Sequence, residues 1–189
     1  MRQDGRKNNQ LRPMRAVLGE LDRADGSGRF EFGPAAAALA SFTGPIEVRI
    51  RDERIDGATL EVIHRPLDGI AVFNAASLAA MHAGSVGMRA VPLAVGVALV
   101  DGEYVLDPSA EEEAAADARF GFGWAFGAGV SSAKDRMDED EEAESLWIEA
   151  EGTFTRQQFN EARELGHRGA REVFAFVQGE FESFFERQV

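Results

Sequence analysis

The chain has 189 residues, enough to bury one core of ordinary size, and its 44% apolar and 28% charged residues exclude wholesale disorder. Zero cysteines exclude disulfides, thiolate zinc sites and cysteine nucleophiles together, and fit a reducing compartment. The net charge of −13 argues against general affinity for nucleic acid, but it is concentrated: residues 107–151 carry 14 acidic and 3 basic side chains, against 13 and 12 in residues 1–106 and 6 and 5 in residues 152–189. Residues 1–15 form the opposite pole, a basic arm in which Arg2, Arg6, Lys7, Arg12 and Arg15 face Asp4 alone, suited to phosphate or to an acidic partner surface. No apolar run reaches the roughly 18 residues of a membrane span, and the polar start lacks the apolar stretch of a secretory signal, so a soluble chain without membrane partners is expected.

In chain order, residues 16–21, the turn Asp25-Gly26-Ser27-Gly28 and residues 29–32 predict a hairpin, with Phe30 and Phe32 on one face. Residues 35–43 are apolar and predict a buried strand that Gly44-Pro45 ends. Ile46, Val48 and Ile50 alternate with Glu47, Arg49 and Arg51 and predict a half-buried strand; residues 59–64 repeat the alternation up to Arg65-Pro66, where proline cannot join a ladder. The period then changes. Residues 72–83 are alanine-rich with Phe73, Ala76, Ala80 and Ala83 on one face, and predict a helix stopped by Gly84.

Residues 90–100, the turn Asp101-Gly102 and residues 103–106 predict a second hairpin. Phe120, Phe122, Trp124 and Phe126 alternate with small residues, and Leu146, Ile148 and Ala150 answer with the same period, so these two strands should pair across a polar, acid-laden connection at 131–145. From a Thr155 cap onward Phe159, Ala162, Gly166, Gly169, Val173, Phe176, Val177, Phe181 and Phe184 follow helical steps, and the glycines among them predict close backbone packing on a sheet. Strands, a helix, more strands and a long helix make an α+β layer architecture.

Most chemical motifs fail on context. Gly121, Gly123 and Gly127 have the wrong spacing for a phosphate loop and lie in a strand pattern; Ser131 and Lys134 match a serine–lysine spacing without the helix it needs. His64, His82 and His167 are too far apart for a local metal motif. The cluster Asp107-Pro108-Ser109-Ala110-Glu111-Glu112-Glu113 is different, because carboxylates after a strand end can hold Mg²⁺ or act as a general acid in phosphoryl transfer, and can equally form a solvated acidic turn. The acidic run at 135–144 reads as a solvated loop, or as a shield for basic clients.

Taken together, Asp4-Gly5-Arg6, Leu11-Arg12-Pro13-Met14, Gly19, Ala24-Asp25-Gly26-Ser27, Gly33, Thr43-Gly44-Pro45-Ile46-Glu47, Leu60-Glu61-Val62 and Arg65-Pro66 stand in an order and spacing that resemble the RNase PH family. The resemblance resumes at Asn74-Ala75-Ala76-Ser77-Leu78-Ala79-Ala80, passes Val91-Pro92 and Asp101-Gly102, and reaches Leu106-Asp107-Pro108-Ser109-Ala110-Glu111-Glu112-Glu113. It implies an RNase PH-like sheet-and-helix domain over residues 16–189 behind the basic arm. Two departures stand out. Active members carry an Asp followed six residues later by a second Asp, where this chain has Asp107 and Glu113, whose extra methylene displaces the carboxylate by on the order of 1 Å. Members also carry, between the equivalents of residues 71 and 72, a helix, central strands and the arginine that binds the attacking phosphate; here Gly69-Ile70-Ala71 runs straight into Val72-Phe73-Asn74.

Within the family the Asp-Pro-Ser-Ala-Glu-Glu-Glu element and the Ala-Asp-Gly-Ser turn look most like eukaryotic exosome ring subunits. That likeness implies a non-catalytic structural subunit supporting 3′-to-5′ RNA processing and degradation, ribosomal RNA maturation included, in nucleus, nucleolus and cytoplasm. The implied partners are other RNase PH-like ring subunits and RNA-binding cap subunits, with RNA passing through the ring channel and Arg6, Arg12 and Arg15 contacting RNA or a partner. No metal or cofactor is implied, and Asp107 and Glu113 are positional counterparts only. Two alternatives are an active phosphorolytic 3′-to-5′ exoribonuclease, with Asp107 as metal ligand or general acid and Mg²⁺ and inorganic phosphate as co-reactants, and an acidic assembly factor.

Overall fold

The computed structural model describes residues 2, 4–64, 69–127 and 143–187, in which two antiparallel sheets are joined by helices. The first sheet is a meander of β1 (Met14–Leu18), β2 (Gly26–Phe32) and β3 (Ala36–Phe42). Helix α1 (Gly69–Ala83) follows, then the hairpin β4 (Val91–Val100) and β5 (Glu103–Leu106), helix α2 (Ala110–Ala115), β6 (Ala118–Phe126), β7 (Ala143–Gly152) and helix α3 (Arg156–Glu186). The second sheet has the order β5-β4-β6-β7. Its hairpin turns on Asp101 and Gly102, both at positive φ (49° and 80°), as a two-residue turn matched to strand twist requires.

Helix α1 lies against the first sheet and along β4. Its approach to β2 is closer than side chains permit: a Cβ on Gly28 would lie 2.5 Å from Leu78 Cβ and 2.8 Å from the Ala79 amide nitrogen. Gly26 and Gly28 therefore serve this contact from inside β2, where the sequence placed them in a turn. Against β4 the docking is polar. β5 covers only residues 97–100 of β4's outer edge, and further along that edge buried Asn74 donates through Nδ2 to the Ala94 carbonyl (3.0 Å) and accepts from the Ala94 amide (2.8 Å). Ser77 Oγ, one helical turn on, donates to the Pro92 carbonyl, and proline at 92 has no amide to leave unmatched.

Helix α3 covers the other face of the second sheet. Its capping box joins Thr155 and Gln158, and its buried stripe is Ala162, Leu165, Gly166, Gly169, Ala170, Val173, Val177 and Phe181. Gly166 sits over Phe122 and Trp124, and Gly169 over Leu106, so the expected close packing holds for both; Gly179 has open space around it. Phe30, Phe32, Leu78, Leu93, Val95, Val97, Leu106, Phe122, Trp124, Phe126, Val173 and Val177 form the centre of the core. On the opposite face of β6, Gly121 and Gly123 make room for the Trp147 indole, which stacks near Phe73 (centroids 6.4 Å, 15° between planes).

Two expected strands do not form. Residues 46–50 and 59–64 belong to neither sheet and are almost wholly exposed, with a single 3₁₀ turn at Ile50–Asp52. Their alternation is real, but a strand needs a neighbour to satisfy its backbone, and among the described residues no strand pairs with them. The sequence also missed α2, whose Ser109 and Glu112 form a capping box. The junction at Ala71 and Val72 lies inside α1, which runs through it unbroken with Ala71 buried. Arg65-Pro66 and most of the acidic connection expected at 131–145 lie outside the described residues; residues 143–145 are the start of β7. No described helix is long and apolar enough to cross a membrane.

Replacing Asn74 with Ala removes both partners of Ala94 and leaves two buried backbone groups unmatched. A loss of about 2 kcal/mol or more is expected, read as a lower denaturant midpoint with unchanged slope.

Candidate functional site

Where β5 ends, the backbone of Asp107 turns through positive φ (49°), a conformation a short polar side chain tolerates, and its amide donates to Gly96 on β4 (2.9 Å). The strand thus closes on the same edge that α1 seals, and the Asp107 side chain is turned toward the N-terminal arm. There the arm is not a solvated extension. Its backbone is tied to β5 by the Leu106 amide donating to the Asn8 carbonyl (2.7 Å), and three of its arginines converge on the turn between β5 and α2.

Arg2 is the deepest, with a side chain 3% exposed. Its guanidinium grips Glu112 with two parallel bonds, Nε to Oε1 (2.8 Å) and Nη2 to Oε2 (2.6 Å), and donates as well to the carbonyls of Leu106 (2.8 Å) and Asp107 (2.8 Å). Arg12 forks the Asp107 carboxylate, through Nε to Oδ2 (2.9 Å) and Nη2 to Oδ1, while its own backbone amide donates to Oδ2 (2.8 Å). Arg6 adds Nη1 to Oδ2 (3.3 Å) and is itself held by Asp4 (2.6 Å). A planar fork and fixed charge make arginine the residue for such a place.

The electrostatics follow from this packing. Burial works to raise the Glu112 pKa, but the hydrogen bonds from Arg2 and from the Ser109 amide, with the fields of Arg2 and Arg6, outweigh it and hold the carboxyl below its ordinary value. On the other side of β5, burial first and then a hydrogen bond to Glu161 push the Tyr104 phenol up to about 12.

The structure brings together Arg6, Arg12 and Asp107 of the expected site residues. Arg15 is elsewhere, on β1, its side chain 70% exposed and its guanidinium 3.8 Å from Glu31. Glu113 is exposed on α2, and its neighbour Glu112 is paired with Arg2. Sequence reasoning missed Arg2 and Glu112 as members of the site. Glu112 had a readable signal, because Ser109 and Glu112 have capping-box spacing; nothing local distinguishes Arg2 from the other arm arginines. Chemically the cluster is a tight ionic unit: three donors converge on Asp107 Oδ2 and one on Oδ1, in a side chain 6% exposed. Among the described residues no group of three or more histidines and carboxylates is arranged to hold a metal ion.

Residues 90–169, from the start of β4 into α3, match the family described as 3′ exoribonuclease family, domain 2. Over 54 residues the chain is 44% identical to the exosome complex component rrp46 of Schizosaccharomyces pombe, a stretch that covers 29% of this chain and only 24% of that relative. With the exosome complex component Rrp41 of Archaeoglobus fulgidus it is 27% identical over 229 positions, covering 92% of this chain and 83% of the relative. That alignment is longer than the whole chain, so the archaeal protein carries internal sequence that this one lacks. Among solved structures, the crystal structure of rice (Oryza sativa) Rrp46 superposes with a TM-score of 0.80 at 20% identity, over 96% of this chain and 100% of that one, which shows a common fold.

Arg2→Met should strip the Glu112 carboxylate of its paired donors and the Leu106 carbonyl of its Arg2 bond, while the Asp107 carbonyl keeps Arg6, at a cost of about 3 kcal/mol in unfolding free energy, and Arg2→Lys should recover little of it because one ammonium cannot make the paired bonds. The pH dependence has a definite sign. The depressed Glu112 carboxyl stabilises the fold fully above the ordinary glutamate value of 4.5, and that stabilisation is lost as pH falls through the lower folded value. Denaturant midpoints measured from pH 7 downward should fall below about pH 4.5, less steeply in Glu112→Gln.

Proposed function

We propose that this RNase PH-like chain, whose residues 90–169 carry the second domain of the 3′ exoribonuclease family, is a non-catalytic structural subunit of an RNA exosome ring. Membership of the ring is supported by the likeness to exosome components in both sequence and fold. The chain's partners in this reading are other RNase PH-like ring subunits and RNA-binding caps. RNA is threaded through the channel they enclose, for 3′-to-5′ processing and degradation that includes ribosomal RNA maturation. Its place of work is the nucleus, the nucleolus and the cytoplasm.

The observation that carries the non-catalytic reading is the state of Asp107. Phosphorolysis by this fold would ask that carboxylate to bind a metal ion or deliver a proton, and both require a carboxylate oxygen that substrate or ion can reach. Here Arg12 and Arg6 hold it with four hydrogen bonds and its side chain is 6% exposed. Of the arginines that the sequence offered for RNA contact, Arg6 and Arg12 are engaged by Asp107 and support the fold at this site, and Arg15, largely exposed beside Glu31, is the one left to meet RNA or a partner. Partner dependence is supported by the exposure of Ile46, Ile50, Ile55, Leu60, Val62 and Ile63, an apolar series that a free monomer rarely shows.

Two measurements test the proposal. Purified chain incubated with single-stranded RNA, Mg²⁺ and inorganic phosphate should release no nucleoside diphosphate; phosphate-dependent release would establish the phosphorolytic alternative. Co-expression with RNase PH-like exosome subunits should yield a co-purifying complex, and failure to co-purify with any of them would remove the ring assignment.

A further inference from the structure

The face of the second sheet turned away from α3 is open over β6 and β7, and Trp147 lies there 38% exposed. Register fixes what surrounds it. Trp147 pairs with Gly123, Glu149 with Gly121 and Glu144 with Ala125; residues 121, 123 and 125 share one face of β6, so these three β7 side chains stand on that face together. The indole lies flat rather than upright. A Cβ on Gly121 would be 2.6 Å from Trp147 Cη2 and 2.9 Å from Cζ3, which puts the six-membered ring across the sheet above Gly121, the residue directly opposite Glu149. Phe73 of α1 extends the surface, its ring 15° from parallel with the indole at a centroid distance of 6.4 Å.

The result is an aromatic platform bordered by carboxylates. Opposed positions in an antiparallel pair have Cβ atoms about 5 Å apart, so Glu149 borders the ring, and Glu144, four β6 positions further on, stands about 13 Å along the strand. Their charges are open. Glu151, the next carboxylate on this face, is bonded by Nη2 of Arg119 (2.6 Å), the one arginine of these two strands. Glu144 and Glu149 are exposed and have no hydrogen bond or ion pair among the described residues.

These features select a planar cation. The face of an indole attracts positive charge, and a guanidinium can lie flat on it while its edge N–H groups donate to a carboxylate beside the ring, which a compact ammonium does less well. A phosphate would meet two uncompensated negative charges. We propose that this face docks an extended basic segment of a partner protein, with one arginine stacked on Trp147 and bonded to Glu149 and a second basic side chain at Glu144. Four residues of extended chain span about 13 Å and return to the same face, so the segment reads Arg-x-x-x-Arg or Arg-x-x-x-Lys. The proposal goes beyond the exosome reading and does not rest on it, because it is tested on the isolated chain.

The probe is the end-blocked, fluorescein-labelled peptide Gly-Arg-Ser-Val-Ser-Arg-Gly, titrated with the full-length chain at low salt and followed by fluorescence anisotropy. Saturable binding is expected, weakened about tenfold by Glu149→Gln or Trp147→Ala, and at least as much when neutral citrulline replaces both arginines of the peptide. Lysine in place of both arginines should weaken it by about threefold. Glu182→Gln, an equal change of charge at an exposed position of α3, should alter it by less than about twofold. Glu149 is exposed, so its variant should keep the circular dichroism spectrum of the parent and carries the test even if Trp147→Ala unfolds. No binding at about 1 mM chain, equal binding of the citrulline peptide, or equal effects of Glu149→Gln and Glu182→Gln would overturn the proposal. Two other occupants would overturn it as well: single-stranded RNA whose binding is lost in Trp147→Ala, or a second copy of the chain, seen as self-association in sedimentation velocity that the same variant abolishes.

Discussion

The outer edge of β4 is the constraint from which much of this molecule follows. β5 is only four residues long and covers residues 97–100, so the remaining backbone groups of a buried strand must find other partners. Several are met by different devices: the Gly96 carbonyl by the amide of Asp107, both groups of Ala94 by the Asn74 amide, and the Pro92 carbonyl by Ser77, Pro92 having no N–H of its own. Unmatched amides and carbonyls in this setting cost about 1–3 kcal/mol each, more than most single packing contacts supply. The position of α1 is therefore set by hydrogen bonding along β4 at least as much as by its apolar face.

That placement fixes the rest of the architecture. With Asn74 and Ser77 on β4, the opposite side of α1 meets β2, and only glycine at 26 and 28 lets the two backbones lie so close. The first sheet is thereby attached to the second through a helix that touches both. The same accounting places the site: the amide of Asp107 is needed at Gly96, its backbone must turn through positive φ to continue into α2, and its carboxylate is left facing the arm. The arginines of that arm neutralise it.

The cluster also accounts for the polarity of the chain. A basic N-terminal arm and an acidic segment beginning at Asp107 look like two independent functional poles when charge is counted along the sequence. In space their nearest ends are one ionic unit, with Arg2, Arg6 and Arg12 set against Asp107 and Glu112. The acidic excess that remains is carried in part by β7, the last strand of its sheet among the described residues.

The local periodicities located α1, the β4–β5 hairpin, the β6–β7 pair and α3, but not always the buried side: α1 buries Ala71, Asn74, Ala75, Leu78 and Ala79 and leaves Ala76 exposed, and β7 leaves Leu146, Ile148 and Ala150 exposed. Gly166 and Gly169 could be read as close-packing positions because they fall on the apolar helical steps of α3. Residues 46–50 and 59–64 show the limit: their alternation equals that of β6, yet a strand exists only where another chain segment supplies its hydrogen bonds, and that is a fact about neighbours. The site was half legible. Asp107, Arg6 and Arg12 stood out as charged residues in a recognisable order, while the partnership of Arg2 with Glu112, 110 residues apart, had no local signal. The sequence by itself determined the elements and the charge each one bears; only the tertiary structure decided which charges meet, because ion pairing depends on distances of a few ångströms between residues far apart along the chain.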